Sequence, residues 1–258
     1  MNENLHKKIL TYAKTFVKCG QPEGALRYIQ DIAKLKKEDL SIEEINILFG
    51  SIHTLIKRTK KQWETICAIE SNEVKKNSKF KNAARDAKEL VYKEMYDYVI
   101  IGQGIIDHHL IKNAKTPILE ALYLMHKADL QRILISITNI DFDKEILDLK
   151  DKIEKSYKKS MNIIQEIEDL SSIKAGIILH YCMYVFEDKK DVSTAYKIAN
   201  EYYQNCNKLL YKIKNKSENH NEIKNLLIIL KQNIDVWSNK VGANETLDNV
   251  NIKSQDIK

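Results

Sequence analysis

Apolar residues recur at intervals of three and four along almost the whole chain, a spacing typical of amphipathic helices. In the first segment, from Glu3 to Lys18, the repeat places most large apolar side chains on one face. Ser41 and Glu44 form a capping-box signature, in which each side chain can bind a free backbone N–H group at the start of a helix. The repeats predict nine helices, which begin near Glu3, Pro22, Ser41, Lys79, Ile118, Ile146, Lys174, Ala195 and Ile223.

The stretch from Lys174 to Glu187 is apolar on every side except at Gly176 and His180. A helix with no polar face must be enclosed by other helices, so this stretch is predicted to be the centre of a bundle. It is too short to cross a bilayer, which takes about 20 apolar residues. His180 and Glu187 are two turns apart on one helical face, and His180 is either a hydrogen-bonded core histidine or part of a binding site.

Composition supports an all-α fold, because only two prolines and seven glycines interrupt 258 residues. Nine helices with short links imply antiparallel neighbours that leave a groove along one side. The residues after Asn239 are polar and offer little apolar surface to bury. We therefore expect one domain over residues 1–239 and a flexible tail over residues 240–258.

The formal charge of +6 comes from 42 basic and 36 acidic residues that are mixed along the chain. A concentrated basic patch would indicate nucleic-acid binding, and the mixed charges of this chain do not form one in the sequence. We therefore expect no nucleic-acid partner. The four cysteines have no Cys-x-x-Cys spacing and indicate reduced thiols of an intracellular protein. A signal peptide and a membrane-spanning segment are both missing from the pattern, and a cytoplasmic location without membrane attachment is expected.

Signatures of catalysis are absent from the sequence. It has no Gly-rich phosphate loop after a strand, no nucleophile elbow, no His-Glu-x-x-His motif and no calcium loop. His108 and His109 are adjacent, point in different directions on a helix and lack a third ligand, so we expect no metal site. The sequence predicts neither enzymatic activity nor a cofactor.

Polar residues at helical spacing interrupt three of the apolar patterns. His53, Lys57, Lys60 and Glu64 form one stripe on the third predicted helix. Similar stripes run through Leu122, Met125, Asp129 and Arg132, and through Ile229, Asn233 and Trp237. Each stripe by itself is compatible with an ordinary solvated face, and together they are compatible with the walls of one groove.

These segments resemble the 14-3-3 family from about Ser41 to Trp237. Ile45 to Leu48 and Trp63 are similar to the family's first signature region and the Trp after it. Tyr123 to Arg132 is similar to its Gly-Asp-Tyr-Tyr-Arg-Tyr segment, Ala175 to Glu187 to its Leu-Gly-Leu-Ala-Leu-Asn stretch, and Ile223 to Trp237 to its second signature. The first 40 or so residues match poorly.

The resemblance implies an all-α fold of nine antiparallel helices that form a cup-shaped bundle with an amphipathic groove. Members of the family are usually dimers, and they bind phosphoserine or phosphothreonine peptides through a Lys, two Arg and a Tyr. The Lys and the two Arg correspond here to His53, Lys60 and Arg132, and the Tyr corresponds to Ile133. The resemblance places the remaining peptide-binding groove on Met125, Leu179, His180, Met183, Glu187, Ile229, Asn233 and Trp237.

Two of these differences weaken the expected phosphate pocket. Lys60 keeps the positive charge but lacks the planar fork of arginine, and Ile133 cannot donate a hydrogen bond. His53 and His180 are the expected compensating groups, because a bound dianion favours a protonated imidazole. We therefore expect phosphopeptide affinity to strengthen as the pH falls from about 8 to about 6.

The leading hypothesis is a divergent 14-3-3-like adaptor that binds phosphorylated client proteins or peptides in signalling and has no enzymatic activity. The alternative is a helical scaffold that binds unphosphorylated peptides or helices. The resemblance also implies a homodimer. Thr246 and Ser254 lie on the expected tail, which either occupies the chain's own groove after phosphorylation or is inert.

Overall fold

The computed structural model describes residues 2–76, 78–137, 143–212 and 218–255, and no strand occurs among them. Nine helices, numbered here in chain order, carry most of these residues. They are α1 (Glu3–Lys18), α2 (Pro22–Leu35), α3 (Ile42–Lys75), α4 (Lys81–Ile105), α5 (Pro117–Ile137), α6 (Asp143–Ile163), α7 (Ser172–Glu187), α8 (Val192–Lys212) and α9 (Glu218–Gln255). The predicted all-α fold is confirmed.

The chain divides into two compact units, Met1–Ser156 and Tyr157–Lys258, and the division falls inside α6. In the first unit, α1 packs on α2, α2 on α3, α3 on α4, and α4 on α5. Its core contains the fully buried side chains of Ala13, Ile29, Ile52, Met95 and Leu130. The apolar faces that the sequence indicates on these helices are the faces that build this core.

Helices α1 and α2 approach each other closely at Gly24. A Cβ atom at this position would lie 2.3 Å from Cδ1 of Phe16, so only glycine leaves room for the aromatic ring. The Phe16 ring stacks on Tyr28 of α2, with ring centroids 5.6 Å apart. This contact joins the first two helices, which are the part of the chain where the family resemblance was weakest.

Helix α4 loses its regular hydrogen-bonding pattern just after two closely spaced glycines, Gly102 and Gly104. A π-helical turn follows at Ile106–Leu110, and a last helical turn covers Ile111–Asn113. The glycines themselves remain inside α4, where Gly102 packs against Leu130 of α5. The irregular segment therefore begins two residues after Gly104.

The second unit is built around α7, the helix whose sequence lacks a polar face. Ala175, Ile177, Ile178, Cys182 and Val185 are buried, as predicted for the most apolar stretch of the chain. Helices α7, α8 and α9 pack against one another. The loop before α7 is held by Asp169, whose backbone oxygen accepts a 2.5 Å hydrogen bond from the Tyr202 hydroxyl.

The last helix continues beyond the point where the sequence predicts a flexible tail. The backbone of α9 is helical as far as Gln255, and no proline after Asn239 removes a backbone donor from it. The side-chain positions of Thr246 and Ser254 lie outside the described part of the structure. The single domain over residues 1–239 and the role of the tail stay predictions.

None of the helices described here is long and apolar enough to cross a membrane.

Candidate functional site

The predicted phosphate-binding residues of α3 lie on one face, two turns apart. His53 is half-buried and Lys60 is exposed. Within the described residues, no carboxylate pairs with the Lys60 amine. Lys60 therefore presents to solvent a positive charge that no carboxylate of the described residues neutralises.

The arginine nearest to Lys60 has a different role. Arg58 forms an ion pair with Glu23 of α2, and its Nη2 atom lies 4.0 Å from Oε1 of Glu94 on α4. The hydrogen bond from Arg58 holds the pKa of the Glu23 carboxyl below its usual value. Residues that are two positions apart in a helix point in directions about 200° apart. Arg58 therefore points away from the Lys60 face and cannot replace the family's arginine.

His126 of α5 is a second imidazole beside His53, and it is not among the site residues predicted from the sequence. The rings of His53 and His126 have centroids 6.1 Å apart. The His126 ring also stacks on Phe49 of α3, with centroids 3.7 Å apart. Helical spacing places Phe49 and His53 one turn apart on α3, but no sequence pattern relates either residue to a position 70 or more residues later.

Arg132, which the resemblance identifies as a retained phosphate ligand, lies on α5 with its side chain 16% exposed. Its Nη1 atom is 3.8 Å from Oδ1 of Asp129, one turn earlier on the helix. Asp129 is buried, so this ion pair lies where the helix is largely withdrawn from solvent. Met125 is only 2% exposed and offers little surface to a peptide.

In the second unit the predicted groove residues fall into a buried and an accessible group. Leu179 of α7 and Trp237 of α9 are buried, and Trp237 packs against Phe186 with ring centroids 5.4 Å apart. The more accessible residues are His180, Met183 and Asn233, which are half-buried, and Glu187 and Ile229, which are exposed. Trp237 and Leu179 are therefore supporting residues, and the accessible group can contact a ligand.

No group of three or more His, Cys, Asp or Glu side chains could hold a metal ion in the part of the chain that the structure describes.

Comparison with known proteins identifies the family. The family model described as "14-3-3 protein" matches residues 12–238. The chain belongs to the 14-3-3 family. All the predicted site residues of this 14-3-3 chain lie within the matched range, and His6 on α1 lies before it.

The curated relatives of this 14-3-3 chain have low sequence identity over nearly full length. It is 24% identical to 14-3-3 protein beta/alpha of Xenopus tropicalis, over 88% of this chain and 93% of the relative. It is 22% identical to 14-3-3-like protein 2 of Caenorhabditis elegans, over 87% of this chain and 90% of the relative. It is also 22% identical to the checkpoint signal transducer rad25 of Schizosaccharomyces pombe, over 87% and 84%. Family membership supports an adaptor role.

Proposed function

We propose that this 14-3-3 chain is a non-enzymatic adaptor that binds phosphoserine or phosphothreonine segments of client proteins, with His53, Lys60 and Arg132 as the phosphate ligands. The observation that carries the proposal is the exposed, uncompensated charge of Lys60. Its amine is exposed and has no carboxylate partner among the described residues, whereas Arg58 on the same helix is paired with Glu23. An uncompensated cation at a position where the family binds phosphate favours an anionic ligand.

Arg132 supports the same role. Its guanidinium lies beside Asp129 and is largely withdrawn from solvent, so less side-chain entropy is lost when it binds a phosphate oxygen. Ile133, next to it, cannot donate a hydrogen bond where the family has a Tyr. The loss of that donor and the change to Lys60 can together weaken affinity by about a hundredfold. The imidazoles of His53 and His126, whose ring centroids are 6.1 Å apart, can offset this loss when they are protonated.

The resemblance assigns the contacts with the peptide itself to α7 and α9, and in this proposal the accessible residues of these helices make them. Asn233 can bond a peptide backbone, and Ile229, which is 44% exposed, offers an apolar contact. His180 replaces the family's Asn and can donate or accept one hydrogen bond at the same place. Trp237 and Leu179 stabilise this surface from beneath.

Homodimerisation is part of the proposal. In the family, the first two helices of one subunit pack on the third and fourth helices of the other. Here α1 leaves Leu5 and Val17 exposed, and the α3–α4 hairpin leaves Val74, Phe80 and Leu90 exposed. Contact between these two surfaces would remove large apolar side chains from water. A cytoplasmic location stays a prediction from the sequence.

A paired binding measurement tests the adaptor function. One serine peptide is prepared in phosphorylated and plain forms, and fluorescence anisotropy is recorded for both at fixed ionic strength. We expect the phosphorylated form to bind at least about tenfold more tightly, as two charge-assisted hydrogen bonds would produce. Equal affinities would reject phosphate recognition and support the alternative, a helical scaffold for unphosphorylated segments.

A further inference from the structure

An open cleft lies between α8 and α9 within the second unit, and it contains none of the residues predicted to bind a phosphopeptide. Its volume is about 670 Å³, within the range of roughly 300 to 1,000 Å³ that is usual for small-molecule sites. Tyr203, Leu210 and Tyr211 of α8 line one side, and Lys224, Leu227 and Ile228 of α9 line the other. This surface is called the α8–α9 cleft below.

The walls of the α8–α9 cleft are apolar and aromatic. Tyr211 is 94% exposed and Ile228 is 57% exposed, although both side chains are large. Leu227 is buried at the base of the cleft. A ligand that places a flat apolar body between Tyr211 and Ile228 would remove this surface from water, and tyrosine rings pack well against a planar aromatic group.

The described residues that line the cleft include two lysines and no aspartate or glutamate. Lys231 is already compensated, since its amine lies 2.6 Å from Oδ1 of Asp235 and 6.0 Å from the centroid of the Tyr203 ring. Lys224 is exposed, and no carboxylate of the described residues pairs with it. The rim of the α8–α9 cleft therefore offers a positive charge beside an apolar surface.

We propose that the α8–α9 cleft binds a small anionic amphiphile, a planar aromatic body that carries a single carboxylate or sulfonate. The aromatic body lies against Tyr211 and Ile228, and the anionic group pairs with Lys224. The amides of Asn207 and Gln232, which also line the cleft, can orient polar substituents. The site is separate from phosphate recognition and does not rest on the proposed function.

A titration of the full chain with two matched probes tests this site. The probes are 2-naphthoate and its uncharged analogue 2-naphthalenemethanol, and binding is followed by calorimetry and ligand-observed NMR. We expect saturable binding of 2-naphthoate with a Kd below about 1 mM, and binding of the alcohol about three- to fivefold weaker, the size of one exposed ion pair. Absence of saturable 2-naphthoate binding would overturn the proposal.

Three variants locate the binding. Lys224→Gln should weaken 2-naphthoate about three- to fivefold and leave the alcohol unchanged, whereas Ile228→Glu should weaken both probes. Lys208→Gln is the matched control, because Lys208 is an exposed lysine of α8 that does not line the cleft. Unchanged naphthoate affinity in Lys224→Gln, or an equal loss in Lys208→Gln, would contradict the assignment. Capture of an acidic amphipathic peptide without naphthoate binding would assign the cleft to a protein partner and also overturn it.

Discussion

The imidazole ring of His126 lies flat against the phenyl ring of Phe49, with centroids 3.7 Å apart and planes inclined by 11°. Phe49 is buried on α3, and this stack links α5 to the helix that carries His53 and Lys60. Two imidazoles therefore lie close together where the family resemblance predicts phosphate recognition. A protonated imidazole attracts a phosphate dianion and a neutral one does not, so we expect phosphopeptide binding at this pair to depend on pH.

The first prediction concerns that pH dependence. Phosphopeptide affinity of the wild-type chain should strengthen between pH 8 and pH 6 relative to the variants His53→Gln and His126→Phe. The phenyl ring of the second variant keeps the stack on Phe49 and removes both nitrogens. The ratio of variant Kd to wild-type Kd should be at least about threefold larger at pH 6 than at pH 8. Taking this ratio at each pH removes the effect of the phosphate's own titration, because the same peptide is used for all proteins. Parallel profiles in all three proteins would exclude the histidines from the site.

The second prediction separates Lys60 from its neighbour. Lys60→Ala should weaken a phosphopeptide about tenfold, because it removes one charge-assisted hydrogen bond. Lys61→Ala is the matched control, since Lys61 is equally exposed and lies about 100° further around α3. Its affinity should stay within about twofold of wild type. The unphosphorylated peptide should bind all three proteins with the same affinity. Equal losses of phosphopeptide affinity in both variants would show that general surface charge, and not a specific contact of Lys60, causes the effect.

The third prediction concerns stability and the fully buried carboxylate of Glu44. Lys36 Nζ donates to Glu44 at 2.8 Å and the Ser41 backbone N–H donates at 2.7 Å, while His6 of α1 contacts the same carboxylate. Glu44→Gln should lower the free energy of unfolding by about 3 kcal/mol at pH 7, because it leaves Lys36 without its buried counter-charge. Denaturant unfolding measures this change. Glu43→Gln, which breaks only an exposed pair with Lys14, should cost less than about 1 kcal/mol.

The same carboxylate predicts how this difference depends on pH. Burial alone would raise the pKa of Glu44, but the hydrogen bonds from Lys36, Ser41 and His6 outweigh burial and hold the pKa below its usual value of 4.5. A lowered pKa in the folded state stabilises the protein at every pH above about 4.5, and the stabilisation is lost as the pH falls through the folded-state pKa. The difference between wild type and Glu44→Gln should therefore shrink as the pH falls from about 4.5 towards 3. A difference that grows on acidification would contradict this account.

The fourth prediction compares two glycines of α4. At Gly102 a Cβ atom would lie 2.7 Å from Cδ1 of Leu130 and 3.2 Å from Cδ1 of Ile52, whereas nothing lies within 4 Å of a Cβ atom at Gly104. Gly104→Ala should stabilise the protein by about 0.5 to 1 kcal/mol through helix propensity. Gly102→Ala gains the same propensity but forces two buried side chains to move, and should be less stable than Gly104→Ala by about 1 to 3 kcal/mol. Thermal unfolding of both variants decides the order, and equal stabilities would show that α4 and α5 adapt without strain.

The fifth prediction tests the proposed dimer. Leu90 of α4 is 71% exposed in the single chain, and Leu90→Glu should weaken self-association on the order of tenfold. Leu147→Glu on α6 is the control, because Leu147 is also largely exposed but lies outside the helices that form the family's dimer contact. Light scattering during size-exclusion chromatography should show monomers for the first variant at concentrations where the control is a dimer. Identical masses for both variants would place the contact elsewhere.

The sequence by itself determined the helices and the family. Helical periodicity and the capping box of Ser41 and Glu44 depend on residues three or four positions apart, so local spacing was enough to predict them. Both side-chain hydrogen bonds of that capping box are present in the structure. The burial of α7 also followed from its sequence, because a helix without a polar face has no stable exposed position. The same local patterns, matched segment by segment, carried the resemblance that the family model confirms.

Only the tertiary structure decided which distant residues meet. The contact of His126 with Phe49, and the convergence of His6 and Lys36 on Glu44, depend on how separate helices pack. Tertiary packing also buried Met125, which the sequence assigned to the groove, and opened the cleft between α8 and α9. Periodicity shows which face of a helix is apolar, but it carries no information on the partner that covers that face or on the part of it that stays open to a ligand.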